Sequence, residues 1–346
     1  MPNEKRRDHK LDLLRYVGLV MIVAAHLTPP ALLFQLRNFD VPLMVLVSGA
    51  SYRLAYRPGI DYPRYVWKRF KRLVFPVWLF LIFYFAALAV LAPGNDNLRA
   101  QMIAESFMLF EGIGYVWIIR VFLLMALVAP LLYRIHQSVD SDTRFVLLFL
   151  CGLFLYQGFN FLSVEQWLGT PGKVVVESVL YYLIPYALVY ALGIRLAQLS
   201  PRHLRALFAG FLLSFIGLAV VLWVGEGDFV PTQDYKYPVT YYYLSYALMV
   251  SLGLWLKGQQ LWDILPGRVR TYVLFTSRNS IWIYLWHIPL VKLSQQVDLP
   301  FVVEYPLTIA VATLIAYVQV ILVGRVLVPG IGSDRCRKNL RMILTG

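Results

Sequence analysis

Two residues in the stretch LDLLRYVGLVMIVAAHLTPP (11–30) have side chains suited to chemistry rather than to lipid: Arg15 and His26. A neutral imidazole can take a proton near pH 7, and a guanidinium can hold an anionic group. The run around them is apolar and long enough to cross a bilayer. Eleven residues separate the two. Along a helix that is roughly 1100°, three turns and about 20°, so both side chains share one face, about 16 Å apart along the axis. An ionisable group inside a membrane segment marks a functional site by default. Asp12, three residues before Arg15, is placed to pair with it.

The elements that must position this pair are membrane helices. Of the 346 residues, 59% are hydrophobic and 15% are charged, whereas a soluble chain carries about a quarter charged residues. Mean hydropathy is +0.63. Interface-seeking aromatics are abundant, with 23 Tyr, 21 Phe and 9 Trp. Windows of about 19 residues predict ten spans, near 11–29, 38–56, 73–92, 115–133, 145–162, 174–194, 206–224, 239–256, 272–291 and 302–328. The apolar runs are continuous rather than alternating, which excludes a β-barrel. The fold class is therefore an all-α polytopic membrane protein with about ten transmembrane helices.

Lys and Arg crowd every second connection. They include Lys5, Arg6, Arg7 and Lys10, then Arg57 to Arg72, then Arg134 and Arg144, Arg195 to Arg205, Lys257 to Arg270, and Arg335 to Arg341. The intervening connections are poor in them. That asymmetry predicts both termini in the cytoplasm. The chain divides into a cytoplasmic basic N-terminus (1–10), a membrane domain (11–328) and a cytoplasmic basic tail (329–346). The first span is read as retained rather than cleaved, because Arg15 interrupts what would be a signal peptide's apolar core. The net charge of +13 is accounted for by topology and implies no nucleic-acid partner. Cys151 and Cys336 fall at different levels, so no disulfide is expected, and no metal-ligand spacing occurs. This orientation places Arg15 near the cytoplasmic surface. It places His26, and His287 of the ninth span, in outer halves.

At this point the residues resemble a family. LDLLR with a histidine eleven residues after the arginine is similar to the first-helix signature of the acyltransferase-3 family of membrane O-acyltransferases. FDVPLMVLVSGASY (39–52), the R-x-x-R element Arg69-Phe-Lys-Arg72, YVWIIRVFLLMALVAPLLY and SIWIYLWHIP follow in the family's order. The resemblance implies a ten-helix enzyme that moves an acyl group, usually acetyl, from cytoplasmic acyl-CoA to a hydroxyl of a cell-surface or secreted carbohydrate. It implies a bacterial cytoplasmic (inner) membrane, acyl-CoA as co-substrate with no bound cofactor, and a lipid-linked or free glycan as acceptor. His26 is then the base or the transient acyl acceptor, and Arg15 either binds the donor or holds the channel in place. Arg69, Arg72 and Lys68 take the CoA phosphates. Asp12, His287, Tyr284 and Lys236 fall in supporting or acceptor-side positions.

Blander readings stand beside these. Lys68 to Arg72 would serve as a topology determinant in any such protein. His287 serves equally well as a structural bond beside Pro289, and Lys236 as a solvated loop lysine. Arg120, Glu177, Arg278 and Glu304 are expected to pair inside the bundle. The tyrosine runs at 181–182 and 241–243 are expected to form an interface belt. The alternative function is a multi-span transporter or flippase for a glycan or small solute. The sequence lacks the inverted repeat that such a protein often shows.

Overall fold

In a computed structural model that describes residues 8–297 and 299–346, the long apolar runs are helical, and no strand occurs among the described residues. Fifteen helices follow one another: α1 (His9–Ala25), α2 (Ala31–Leu36), α3 (Asp40–Ala55), α4 (Tyr62–Leu91), α5 (Ala100–Phe107), α6 (Trp117–Ser138), α7 (Asp142–Phe161), α8 (Thr170–Val175), α9 (Tyr181–Arg195), α10 (Pro201–Glu226), α11 (Tyr241–Ile264), α12 (Gly267–Arg278), α13 (Ser280–Ser294), α14 (Phe301–Leu322) and α15 (Asp334–Thr345). Single π-helical turns join α8 to α9 and extend α14. Lys5, Arg6 and Arg7 of the expected basic N-terminus lie outside the described residues.

Most of each of the ten expected spans is helical, and among the described residues seven helical stretches are long and apolar enough to cross a membrane. The other three depart for visible reasons. α1 has only 17 residues and carries Asp12 and Arg15. α11 is rich in Tyr and ends in Lys257 and Asp263. The ninth stretch is broken at Asn279 between α12 and α13.

Three local features differ from the sequence expectation. The basic segment 62–72 is the start of a 30-residue helix rather than a connection, opened by an Asp61 cap that accepts from the Arg64 amide at 3.2 Å. The C-terminal stretch is a helix, α15, not a plain basic tail. α1 stops at Ala25, so His26 lies in the closing turn, its amide bonded to the Val23 carbonyl at 3.1 Å. Thr28 adopts φ +48° and Pro29-Pro30 follow; Pro29 has no N–H to donate to the Ala25 carbonyl four residues back, so the helical ladder does not continue past Ala25. The helical extrapolation from Arg15 therefore holds to Ala25 and not to His26.

The chain separates into two compact units, with the boundary falling inside α1 and α6. One unit takes the chain up to Ile22, Pro30–Tyr56 and Val128–Ser277. Its tightest packing joins α3 to α9. A Cβ built on Gly49 would collide with the Tyr190 carbonyl, and one on Gly193 with the Leu46 carbonyl. Two glycines thus let the helix backbones touch, the usual device where lipid gives no hydrophobic drive. At the end of α9, Arg195 donates to the carbonyls of Val139 (2.7 Å) and Asp140 (3.0 Å) and pairs with Asp142 at 2.9 Å, clamping the turn between α6 and α7.

The same unit buries most of the tyrosines expected at an interface. Tyr242 donates to the Val230 carbonyl and Tyr246 to the Leu36 carbonyl, while Tyr243 is fully buried. The Tyr242 and Tyr246 hydroxyls satisfy loop and helix-end carbonyls that would otherwise be stranded away from water.

The other unit takes Val23–Pro29, Arg57–Leu127 and Arg278–Gly346. α13 packs on α14 and α4, with Trp286 Nε1 donating to Gln319 Oε1 at 2.6 Å and crossing Phe80 edge-on. α15 docks against α4, α13 and α14 through polar contacts described below. Cys151 and Cys336 are unbonded thiols.

Candidate active site

His26, His287, Tyr284, Tyr115 and Lys292 form one cluster in the second unit. α13 supplies three of them on one face at i, i+3 and i+8: Tyr284, His287 and Lys292. Pro289 sits inside α13, next to the site. Tyr115 precedes α6 in a glycine-bearing loop whose Gly114 has φ +83°. His26 enters from the turn that ends α1.

The two imidazoles, 261 residues apart, meet with His26 Nδ1 2.8 Å from His287 Nε2. Their rings are nearly parallel, 16° apart in plane with centroids at 5.0 Å. His287 is completely buried, and its Nδ1 contacts the backbone carbonyl of Tyr284. Tyr284 hydroxyl in turn donates to the carbonyl of Tyr115, and the Tyr115 ring stands edge-on to His26 at 4.8 Å. Lys292 Nζ lies 5.5 Å over the same Tyr115 ring.

This geometry orders the protons. A carbonyl only accepts, so His287 Nδ1 carries the hydrogen. With both rings neutral, His287 Nε2 then accepts, His26 Nδ1 donates, and the lone pair of His26 stays on Nε2. One ring nitrogen is fixed by the bond the other makes, which is how an imidazole base is usually set.

Arg15 and Asp12 form a separate polar network in the first unit. Arg15 Nη1 donates to Ser277 Oγ at 3.1 Å and Nη2 to Ser51 Oγ at 2.9 Å. Ser277 Oγ donates onward to Asp12 Oδ1 at 2.8 Å, and Asp12 lies 3.5 Å from Arg15. Ser51 and Ser277 escaped the sequence reading. Ser51 lies within the SGASY motif, but nothing local shows that a hydroxyl there faces an arginine. Tyr115 and Lys292 escaped it too, one as the first residue of a quoted motif and the other as an ordinary loop cation.

Lys68, Arg69 and Arg72 project from the first turns of α4. Arg69 lies 5.1 Å over the Tyr65 ring, while Lys68 and Arg72 are exposed. They are not hydrogen-bonded to the histidine cluster. Lys236 is not the solvated lysine its loop suggested. It is buried, 3.3 Å from Asp40 Oδ1, and Asp40 also takes Arg37 at 3.0 Å. Burial lowers the Lys236 pKa from its ordinary value, and the Asp40 carboxylate opposes that shift. Of the other charges expected to pair, Glu177 meets Lys173 at 3.7 Å on an exposed face, where an ion pair adds little, and Arg278 is exposed. Among the described residues no group of His, Cys, Asp and Glu is arranged to hold a metal ion.

The acyltransferase-3 family model, described as an acyltransferase domain, matches residues 8–322, nearly the whole chain. The chain belongs to that family. No curated protein and no solved structure matches it.

Proposed function

We propose that this membrane acyltransferase carries an acetyl group from cytoplasmic acyl-CoA to a hydroxyl of a cell-surface or secreted carbohydrate, with His26 as general base. The observation that supports this most is the proton-ordered chain from the Tyr284 carbonyl through His287 to His26 in a protein of this family. His26 Nε2 takes the proton from the acceptor hydroxyl as the oxygen attacks the thioester carbon. The C–S bond of the tetrahedral intermediate then breaks, and the thiolate leaves with the proton that His26 returns. His26 gains transient positive charge, and His287 can share it because its Nε2 accepts from His26.

Arg15 is the donor-side cation in this reading, held in one rotamer by Ser51, Ser277 and Asp12. Lys68, Arg69 and Arg72 hold the CoA phosphates, a task for which guanidinium groups are suited. The bacterial cytoplasmic membrane is the proposed location, with both termini in the cytoplasm.

The test is transfer of labelled acetyl from acetyl-CoA to glycan by wild type and by His26→Ala at matched membrane abundance. Loss of transfer is expected; undiminished transfer ends the role assigned to His26. Trapping a labelled acyl-protein in the absence of glycan, absent in His26→Ala, would replace base catalysis with an acyl-imidazole route. Uptake of solute into proteoliposomes without any acyl donor would favour a transporter.

A further inference from the structure

A cavity of about 330 Å³ opens between the π turn that ends α14 and one side of α15. Val328 and Pro329 form its apolar wall, and Asp334, Arg337, Lys338 and Arg341 form its polar wall. The four polar residues stand at i, i+3, i+4 and i+7, a single stripe of α15. Their charge is unbalanced. Asp334 pairs with Arg337 at 3.6 Å, and Arg337 Nε donates to the Ile331 carbonyl at 2.6 Å. Lys338 and Arg341 make no ion pair among the described residues.

Lys338 and Arg341 are not what docks the helix. α15 is held from other directions, by Lys71 Nζ to Asn339 Oδ1 (3.3 Å), Trp282 Nε1 to the Ile343 carbonyl (2.9 Å) and Gln319 Nε2 to the Leu344 carbonyl (2.7 Å). Two cations therefore face a cavity without serving the fold. Leu322, Val326 and Leu327, next to the cavity in the chain, are exposed apolar residues, Val326 at 64%. The family match ends at residue 322, so both walls are built by residues beyond it.

We propose that this cavity binds the headgroup of an anionic phospholipid, with its phosphate on Lys338 and Arg341 and its acyl chains along the exposed apolar turn. A basic stripe beside a membrane span attracts anionic lipid, while the apolar wall and the neighbouring exposed apolar residues suit acyl chains better than a soluble phosphate.

Native mass spectrometry of the purified full chain in detergent tests this with three probes: phosphatidylglycerol, phosphatidylcholine and coenzyme A. Wild type should retain phosphatidylglycerol in preference to phosphatidylcholine. The K338Q/R341Q double variant should bind phosphatidylglycerol roughly thirty-fold more weakly, about one charge's worth at each position. Its melting temperature in detergent should be unchanged, and the charge-keeping K338R/R341K variant should retain the lipid. Equal retention of the two lipids, or of phosphatidylglycerol by wild type and K338Q/R341Q, overturns the proposal. Displacement of phosphatidylglycerol by coenzyme A overturns the lipid assignment in favour of the donor's phosphates.

Discussion

The histidine pair and the Arg37–Asp40–Lys236 cluster are both polar groups set in a largely apolar protein, and they are built on opposite principles. In the ionic cluster each charge has a fixed opposite partner, Asp40 facing both Arg37 and Lys236. Asp40 accepts from Arg37, Lys236 and the Val41 amide, and Arg37 also donates to Gln233. Beside it, Asn38 donates to Thr232 Oγ1, and Gln35 accepts from the Thr232 amide. The bonds to Thr232, Gln233 and Lys236 tie the α2–α3 corner to the loop 232–236, and no proton needs to move. In the histidine pair the bond between the imidazoles is of a kind that can pass a proton, and with both rings neutral the order of donors leaves the lone pair on His26 Nε2. A buried network of fixed charges makes a clamp, whereas a half-buried pair of titratable imidazoles has the chemistry that the proposed reaction needs.

Substitutions can break this contrast, and the largest effect is expected at His26. His26→Ala should lower acyl transfer by about 10²- to 10⁴-fold, the usual contribution of a positioned base, with the protein still accumulating normally. Asp40→Ala should do the reverse. It strands two buried cations and should cost about 3–5 kcal/mol of stability, read as lost abundance or a lower Tm in detergent. If Asp40→Ala instead folds like wild type and loses only activity, the cluster belongs to the reaction and the contrast fails.

Smaller effects sharpen it. His287→Ala should slow transfer by about 10- to 100-fold, as loss of a group that orients a functional side chain does. Its acetyl-CoA KM should stay near that of wild type, since His287 touches His26 and not the donor cations. Gly193→Ala drives a methyl into the Leu46 carbonyl and should destabilise by roughly 1–3 kcal/mol, with activity per folded molecule retained. The mildest change is R69Q/R72Q, which should raise the acetyl-CoA KM several-fold with kcat little altered, the mark of lost uniform binding. A fall in kcat alone would move those arginines out of donor binding.

The legible part of this protein was the part whose causes are local. Runs of apolar residues announced the helices because a segment in lipid must satisfy its backbone within itself. The Asp12–Arg15 pair was visible because three residues of helix place two side chains side by side. The end of α1 was missed by a few residues although its cause, Pro29-Pro30, is also local; hydropathy runs on smoothly through His26 and masks the stop. The α4 start was missed for the opposite reason, since its basic residues read as a loop while Asp61 and Pro63 in fact open a helix.

By itself, then, the sequence determined an all-α membrane chain of the acyltransferase-3 type and marked Arg15, His26 and His287 as residues out of keeping with lipid. Only the tertiary structure decided which of them meet. It joined His26 to His287 across 261 positions, gave Arg15 two serines from other helices, and buried Lys236 against Asp40. Helix formation depends on neighbours within a turn or two, and composition records that. Partner choice depends on how helices pack and where they break, which is a property of the whole chain at once.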